Sequence, residues 1–315
     1  MKRRFTGIWP ALITPFRGGD VDHAAIQKLV HYFAKAGVSG LVVCGTTGEA
    51  AALSPAERLA VLDTVIGCDT GLALVMGLAG NNLSDVVAEL RVIQSRPVAG
   101  VLTPPPYYVR PSQQGILEFY GAIAKMTAVP LILYNIPYRT GVSMELDTLR
   151  RLAGLAAVCA IKDCARDIAL TMQLIADGEL DVLTGEDLQI FSTLCLGGAG
   201  AITAAAHVRP DLFVRLTRLI EAGEWQAARG IFYALRPVIE ALFSEPNPGP
   251  IKALLAQAGM IENELRAPMM KASPELEVGL RNHLRALEAF ETPVPNAVAA
   301  AKRQAQQVFL PQAEA

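Results

Sequence analysis

Leu155-Ala156-Ala157-Val158-Cys159-Ala160-Ile161-Lys162 is the stretch that decides the fold of this chain. Seven uncharged, mostly small or branched residues in a row read as a strand covered on both faces, as in a parallel sheet. Lys162 at the mouth of such a strand needs explaining, because an ammonium there loses water with no evident counter-charge beyond Asp163. Desolvation favours the neutral amine of a lysine, and a neutral amine attacks carbonyls to form Schiff bases. The competing reading is a lysine that snorkels to solvent.

Outward from this strand, short apolar runs alternate with helical patterns, which points to βα units around a parallel sheet. Candidate strands lie at 7–14, 40–44, 73–76, 100–103, 131–134, 157–162, 181–184 and 200–203. Between them, Ser54-Pro55-Ala56-Glu57 is a capping box with proline at the first helical position, followed by an expected buried face of Leu59, Leu62, Val65 and Ile66. Ile116, Phe119, Tyr120 and Ile123 repeat the helical spacing.

Eight such repeats predict a (β/α)₈ TIM barrel, which needs roughly 250 residues. A doubly wound dinucleotide-binding sheet would carry Gly-x-Gly-x-x-Gly after its first strand, where this chain has Thr14-Pro15-Phe16. Beyond the eighth strand the pattern turns helical. We therefore expect a barrel over 1–223, a C-terminal helical extension over 224–290 and a tail over 291–315.

Composition narrows the function classes. Of 315 residues, 52% are apolar and 18% charged, with a formal net charge of −2, so no general attraction to nucleic acid or anionic membranes is expected. The five cysteines are scattered and the four histidines form no ligand pair, which suggests a reducing cytoplasm and neither disulfide framework nor metal site. The N-terminus lacks a signal-peptide pattern, and no apolar segment reads as a membrane span.

On a (β/α)₈ barrel, chemistry collects at the C-terminal ends of the strands. Gly45-Thr46-Thr47-Gly48-Glu49 follows the second strand, and its amides and hydroxyls suit a carboxylate, although the same residues also make an ordinary tight turn. Tyr134 ends the strand beside that of Lys162, close enough for its hydroxyl to shuttle protons at a carbonyl. Arg139 offers a planar fork for a second carboxylate, or is a surface charge. Gly185-Glu186 follows the seventh strand and Thr203 ends the eighth, while Glu49 is expected to be structural.

The set Gly45-Thr46-Thr47-Gly48-Glu49, Pro106-Tyr107-Tyr108-Val109-Arg110-Pro111, Tyr134-Asn135-Ile136-Pro137, Ile161-Lys162-Asp163 and Glu245-Pro246-Asn247-Pro248 resembles the dihydrodipicolinate synthase and N-acetylneuraminate lyase family over roughly residues 5–290. The resemblance implies a class I Schiff-base lyase acting on pyruvate without cofactor or metal. It implies Lys162 as imine former and Tyr134 as proton donor and acceptor. Thr47, Gly48, Gly185 and Ile202 are implied around the bound substrate. Thr46 and Tyr108 complete a proton relay, with Tyr108 supplied by a neighbouring subunit of a homotetramer built as a dimer of dimers. The threonine pair and Arg139 resemble the synthase branch, whose acceptor is aspartate semialdehyde.

Several positions depart from that branch. Asp163-Cys164-Ala165-Arg166-Asp167 follows the lysine where Glu/Asp-Ala-Ser/Thr-Gly-Asp is usual, and Tyr138 replaces a common serine and is expected to narrow the entrance. Among positions tied to lysine feedback, Asn81, Asp85 and Tyr107 are retained, whereas Ala50, Pro55 and Arg58 replace polar or histidine residues. A paralogous aldolase or dehydratase for another 2-oxo acid, and a non-catalytic binding barrel, stand as the alternatives.

Overall fold

The computed structural model describes residues 4–288. Among them, eight strands form one parallel ring: β1 Gly7–Pro10, β2 Gly40–Val43, β3 Ala73–Gly77, β4 Gly100–Thr103, β5 Leu131–Asn135, β6 Val158–Asp163, β7 Asp181–Thr184 and β8 Gly200–Thr203. Each pairs in parallel with its neighbours in the order β1-β8-β7-β6-β5-β4-β3-β2. A parallel bridge between Ala11 and Val42 closes the ring. Helices connect the strands, from His23–Ala36 after β1 to Pro210–Glu221 after β8. This is the expected (β/α)₈ barrel.

The strand ends differ from expectation for local reasons. The first strand stops at Pro10, short of Thr14, because the chain changes partners there: Ala11 N donates to Thr203 O of β8 and Leu12 N to Val42 O of β2, each at 2.9 Å. The residues that end β1 as a ladder are therefore those that seal the barrel. β2 stops before Cys44, whose φ of 52° is incompatible with extended backbone. β5 and β6 each run one residue further, since Asn135 and Asp163 also pair. A two-residue hairpin, Phe16–Arg17 with Asp20–Val21 around Gly18-Gly19, lay below the resolution of the sequence pattern.

Alternation along each strand separates two cores. Trp9, Val42, Val75, Leu102, Ile132, Ala160, Leu183 and Ile202 fill the barrel interior. Ile8, Leu41, Val43, Val101, Leu133, Ile161 and Val182 pack outward with the helices. The capping box at Ser54 is formed, with Ser54 N donating to Glu57 Oε2 at 2.8 Å and Glu57 N to Ser54 Oγ at 3.2 Å. That helix buries Val61, Leu62 and Val65; Leu59 and Ile66 are only partly covered. Ile116, Phe119, Tyr120 and Ile123 are all buried.

Among the described residues, three helices follow the barrel: Trp225–Leu242, Gly249–Gln257 and Pro274–Glu288. The first packs on Pro210–Glu221 and on Pro274–Glu288. Phe232 stacks on Phe191 of the barrel, with ring centres 5.5 Å apart. The tail expected over 291–315 lies outside the described residues.

A buried ion pair joins this region to the barrel. Lys252 Nζ lies 2.5 Å from Glu49 Oε1, donates to Glu264 O at 2.9 Å and sits 4.2 Å from the centre of the Phe16 ring. Burial pulls the Lys252 pKa down while the Glu49 charge pulls it back up. Both side chains are almost entirely shielded, so removing one leaves the other's charge stranded. Lys252→Met is expected to cost about 3–5 kcal/mol in chemical denaturation, and Lys252→Met with Glu49→Leu to recover most of it.

Candidate active site

The C-terminal ends of the strands open onto a cavity of about 420 Å³ that is lined by Thr46, Thr47, Tyr134, Arg139, Lys162, Gly185 and Ile202. Seven of the nine residues singled out in the sequence thus share one space. Gly48 sits just behind it, buried, where a β-carbon would come within 2.8 Å of Leu12 O. Tyr108 stands apart: it is 89% exposed, with φ at +70°, and does not line the cavity of its own chain.

Lys162 reaches this space because of the strand period. Ala160, Lys162 and Cys164 project inward, whereas Asp163 faces away, accepting from the Thr171 hydroxyl at 2.7 Å and from Ala165 N at 3.1 Å. Asp163, the one counter-charge suggested by the sequence, is therefore no partner for the lysine. Tyr134 is the register partner of Lys162 on β5, and Lys162 Nζ lies 4.5 Å from the centre of its ring. On the other flank, a β-carbon at position 185 would run into Lys162 Cε and Cys164 Sγ and come within 2.9 Å of Lys162 Cγ. Only glycine leaves the lysine room.

The threonine turn is held from three sides. Thr46–Gly48 forms a single 3₁₀ turn, whose opening amides have no acceptor within the turn. Thr14 donates its hydroxyl proton to Gly48 O at 2.7 Å, and Asn247 Nδ2, from the C-terminal region, donates to Thr47 Oγ1 at 2.9 Å. Thr46 shares a hydrogen bond with the Tyr134 hydroxyl. Burial pushes the Tyr134 pKa well above the ordinary phenol value, with the Thr46 bond and the Arg139 charge pulling the other way. A protonated phenol beside an amine is a proton donor in waiting.

Two further groups face the lysine. Burial pushes the Cys164 thiol up to about 12, against the pull of the Lys162 charge, so it stays protonated and does not compete as a nucleophile. Asp187 is buried, accepting from the Thr203 hydroxyl and, at 2.7 Å, from Ala205 N. Burial raises its carboxyl to about 6, moderated by those bonds and by Lys162.

Sequence reasoning passed over Asp187 and assigned no role to Asn247. An acid directly after Gly185-Glu186, just beyond the seventh strand, is the available signal for the first. For the second, only the motif Glu245-Pro246-Asn247-Pro248 was visible. Another hollow, of about 160 Å³, lies near the opposite ends of β6 and β7 beside Arg4, Cys159 and Asp181, at the face of such barrels that serves stability. Among the described residues no His, Cys, Asp and Glu group is arranged to hold a metal ion, and no helix is long and apolar enough to cross a membrane.

Known proteins share this sequence pattern and this fold. The profile of the dihydrodipicolinate synthetase family matches residues 4–287. The chain is 36% identical over 285 residues to 4-hydroxy-tetrahydrodipicolinate synthase 2 of Clostridium acetobutylicum, covering 89% of this chain and 100% of that protein. Its fold superposes on the crystal structure of the dihydrodipicolinate synthase from Thermotoga maritima with a TM-score of 0.87 at 33% identity, over 89% of this chain and 98% of that one. The chloride-inhibited dihydrodipicolinate synthase of Acinetobacter baumannii, solved in complex with pyruvate, gives a TM-score of 0.86 at 30% identity, again over 89% and 98%.

The crowding at Gly185 makes Gly185→Ala a displacement of the lysine: circular dichroism is expected to be unchanged while turnover falls by about 100-fold. The Asp187 shift has a definite sign. The folded protein holds this proton more tightly than the unfolded chain, so the stability it lends is complete below about pH 3.8 and is lost as pH rises through about 6. Asp187→Asn is accordingly expected to lose less stability than the unmodified protein between about pH 4 and about pH 7, as read by thermal denaturation.

Proposed function

Because the chain belongs to the dihydrodipicolinate synthetase family, we propose that it is a Schiff-base lyase acting as 4-hydroxy-tetrahydrodipicolinate synthase, which condenses pyruvate with L-aspartate 4-semialdehyde. The observation that carries this reading is the Lys162 amine inside the barrel, 4.5 Å from the ring centre of Tyr134, whose hydroxyl is bonded to Thr46. No ion pair of the described residues engages that amine.

In this mechanism Lys162 Nζ attacks the keto carbon of pyruvate, and Tyr134 protonates the departing hydroxyl as the carbinolamine loses water. The pyruvate carboxylate rests on the Thr46-Thr47-Gly48 turn, with Ile202 and Gly185 closing the space around it. Loss of a methyl proton yields the enamine, whose carbon attacks the semialdehyde while Arg139 holds that acceptor's carboxylate. Attack of the acceptor's amine on the imine carbon closes the ring and frees Lys162. The proton route runs from Tyr134 through Thr46 to Tyr108 of a neighbouring subunit; the exposure of Tyr108 in the single chain supports this assignment. We accordingly propose a cytoplasmic homotetramer. A pyruvate aldolase for another 2-oxo acid would keep Lys162 and Tyr134 and differ on the acceptor side.

Borohydride reduction in the presence of pyruvate is expected to leave a stable adduct on Lys162 and none in Lys162→Ala; a folded protein without adduct would sink the reading. Tyr134→Phe should still bind pyruvate while turnover with semialdehyde falls by about 10²–10⁴-fold. Background turnover with semialdehyde, alongside normal adduct formation, would remove the synthase assignment and keep the pyruvate chemistry.

A further inference from the structure

We infer that Tyr138, Glu186 and Arg166 form a clamp across the acceptor side of the cavity that excludes long polyhydroxylated aldehydes. This rests on the proposed pyruvate chemistry and goes beyond it by naming what selects the second substrate. The three residues come from the loops after β5, β7 and β6, and all line the cavity that holds Lys162.

Both carboxylate oxygens of Glu186 are occupied. The Tyr138 hydroxyl donates to Oε1 at 2.9 Å and Arg166 Nε donates to Oε2 at 2.9 Å. The Arg166 guanidinium also lies 4.6 Å from the centre of the Tyr138 ring, and that of Arg139 lies 5.9 Å from the same ring. Tyr138 is thus fixed at three points, although half of its surface is open to solvent. Arg166 keeps this position at φ 59°, a backbone region that suits glycine better.

Two consequences follow for an incoming acceptor. Glu186 adjoins Gly185, and its free carboxylate would repel an anionic substrate; paired with Arg166, it leaves Arg139 to act on that substrate's charge. A chain longer than the semialdehyde has to displace the tyrosine ring, breaking the bond to Glu186 and the stack on Arg166 together. Tyr138→Ser with Arg166→Gly removes the ring and its stack together.

The test compares the unmodified protein with Tyr138→Ser/Arg166→Gly, using pyruvate with glycolaldehyde, aspartate semialdehyde and N-acetylmannosamine. The double variant should raise the ratio of kcat/KM for N-acetylmannosamine over glycolaldehyde by about tenfold or more. The borohydride-trapped pyruvate adduct and KM for pyruvate should stay the same. Tyr138→Phe, which keeps the ring and deletes only its bond to Glu186, should shift the ratio in the same direction by less and serves if the double variant does not fold. An unchanged ratio overturns the clamp, as does a ratio that moves only together with KM for pyruvate. If semialdehyde alone is not consumed, the synthase assignment fails while the ratio still judges the clamp; if no aldehyde is consumed by any form, both fall.

Discussion

The alternation of side chains in a closed parallel barrel is the constraint on which this molecule depends. A strand that puts Ala160 into the interior must put Lys162 there too, two residues on, and Asp163 outside. The neighbouring strands flank that lysine with a ring on one side, Tyr134, and with no side chain at all on the other, Gly185. Closure of the ring is what makes the alternation binding. It comes from the short segment Ala11-Leu12, which bonds to β8 and β2 at once.

The charges around the lysine are arranged by the same logic. Four of the carboxylates at the strand ends or in the turns after them are spoken for: Asp163 by Thr171, Asp187 by Thr203 and Ala205, Glu186 by Tyr138 and Arg166, and Glu49 by Lys252. A carboxylate paired with Lys162 would hold it as an ammonium. Lys162 Nζ instead lies 4.5 Å from the centre of the Tyr134 ring. Burial meanwhile keeps the proton on both Tyr134 and Cys164, so the cavity sets the Lys162 amine beside a protonated phenol.

The C-terminal region takes part in the site as well as covering the barrel. Asn247 bonds to Thr47, exactly two hundred positions earlier in the chain, and Lys252 pairs with Glu49 of the same loop. The threonine turn is short and has few bonds of its own, and the segment around Asn247 and Lys252 buttresses it. Glu49, expected from the sequence to be structural, is part of that buttress.

The apolar runs and their spacing were enough to read eight βα repeats, hence the barrel, and with the barrel the rule that reactive groups sit at the strand ends. Lys162, Tyr134, the threonine turn, Arg139 and Gly185 stood out because each lies at or just beyond a strand end that periodicity locates, whereas Ile202 and the roles assigned around the bound substrate came from the family resemblance. Periodicity carries no information about what meets across strands. The place where β1 stops, the turning away of Asp163, the buried acid at Asp187, the reach of Asn247 to Thr47 and the joining of Tyr138, Glu186 and Arg166 all depend on groups far apart in sequence. The sequence alone determined which residues line up along each strand, since that follows from a local period of two. Only the tertiary structure decided which charges are cancelled and which amine is left unpaired, because those depend on distances that exist once the ring has closed.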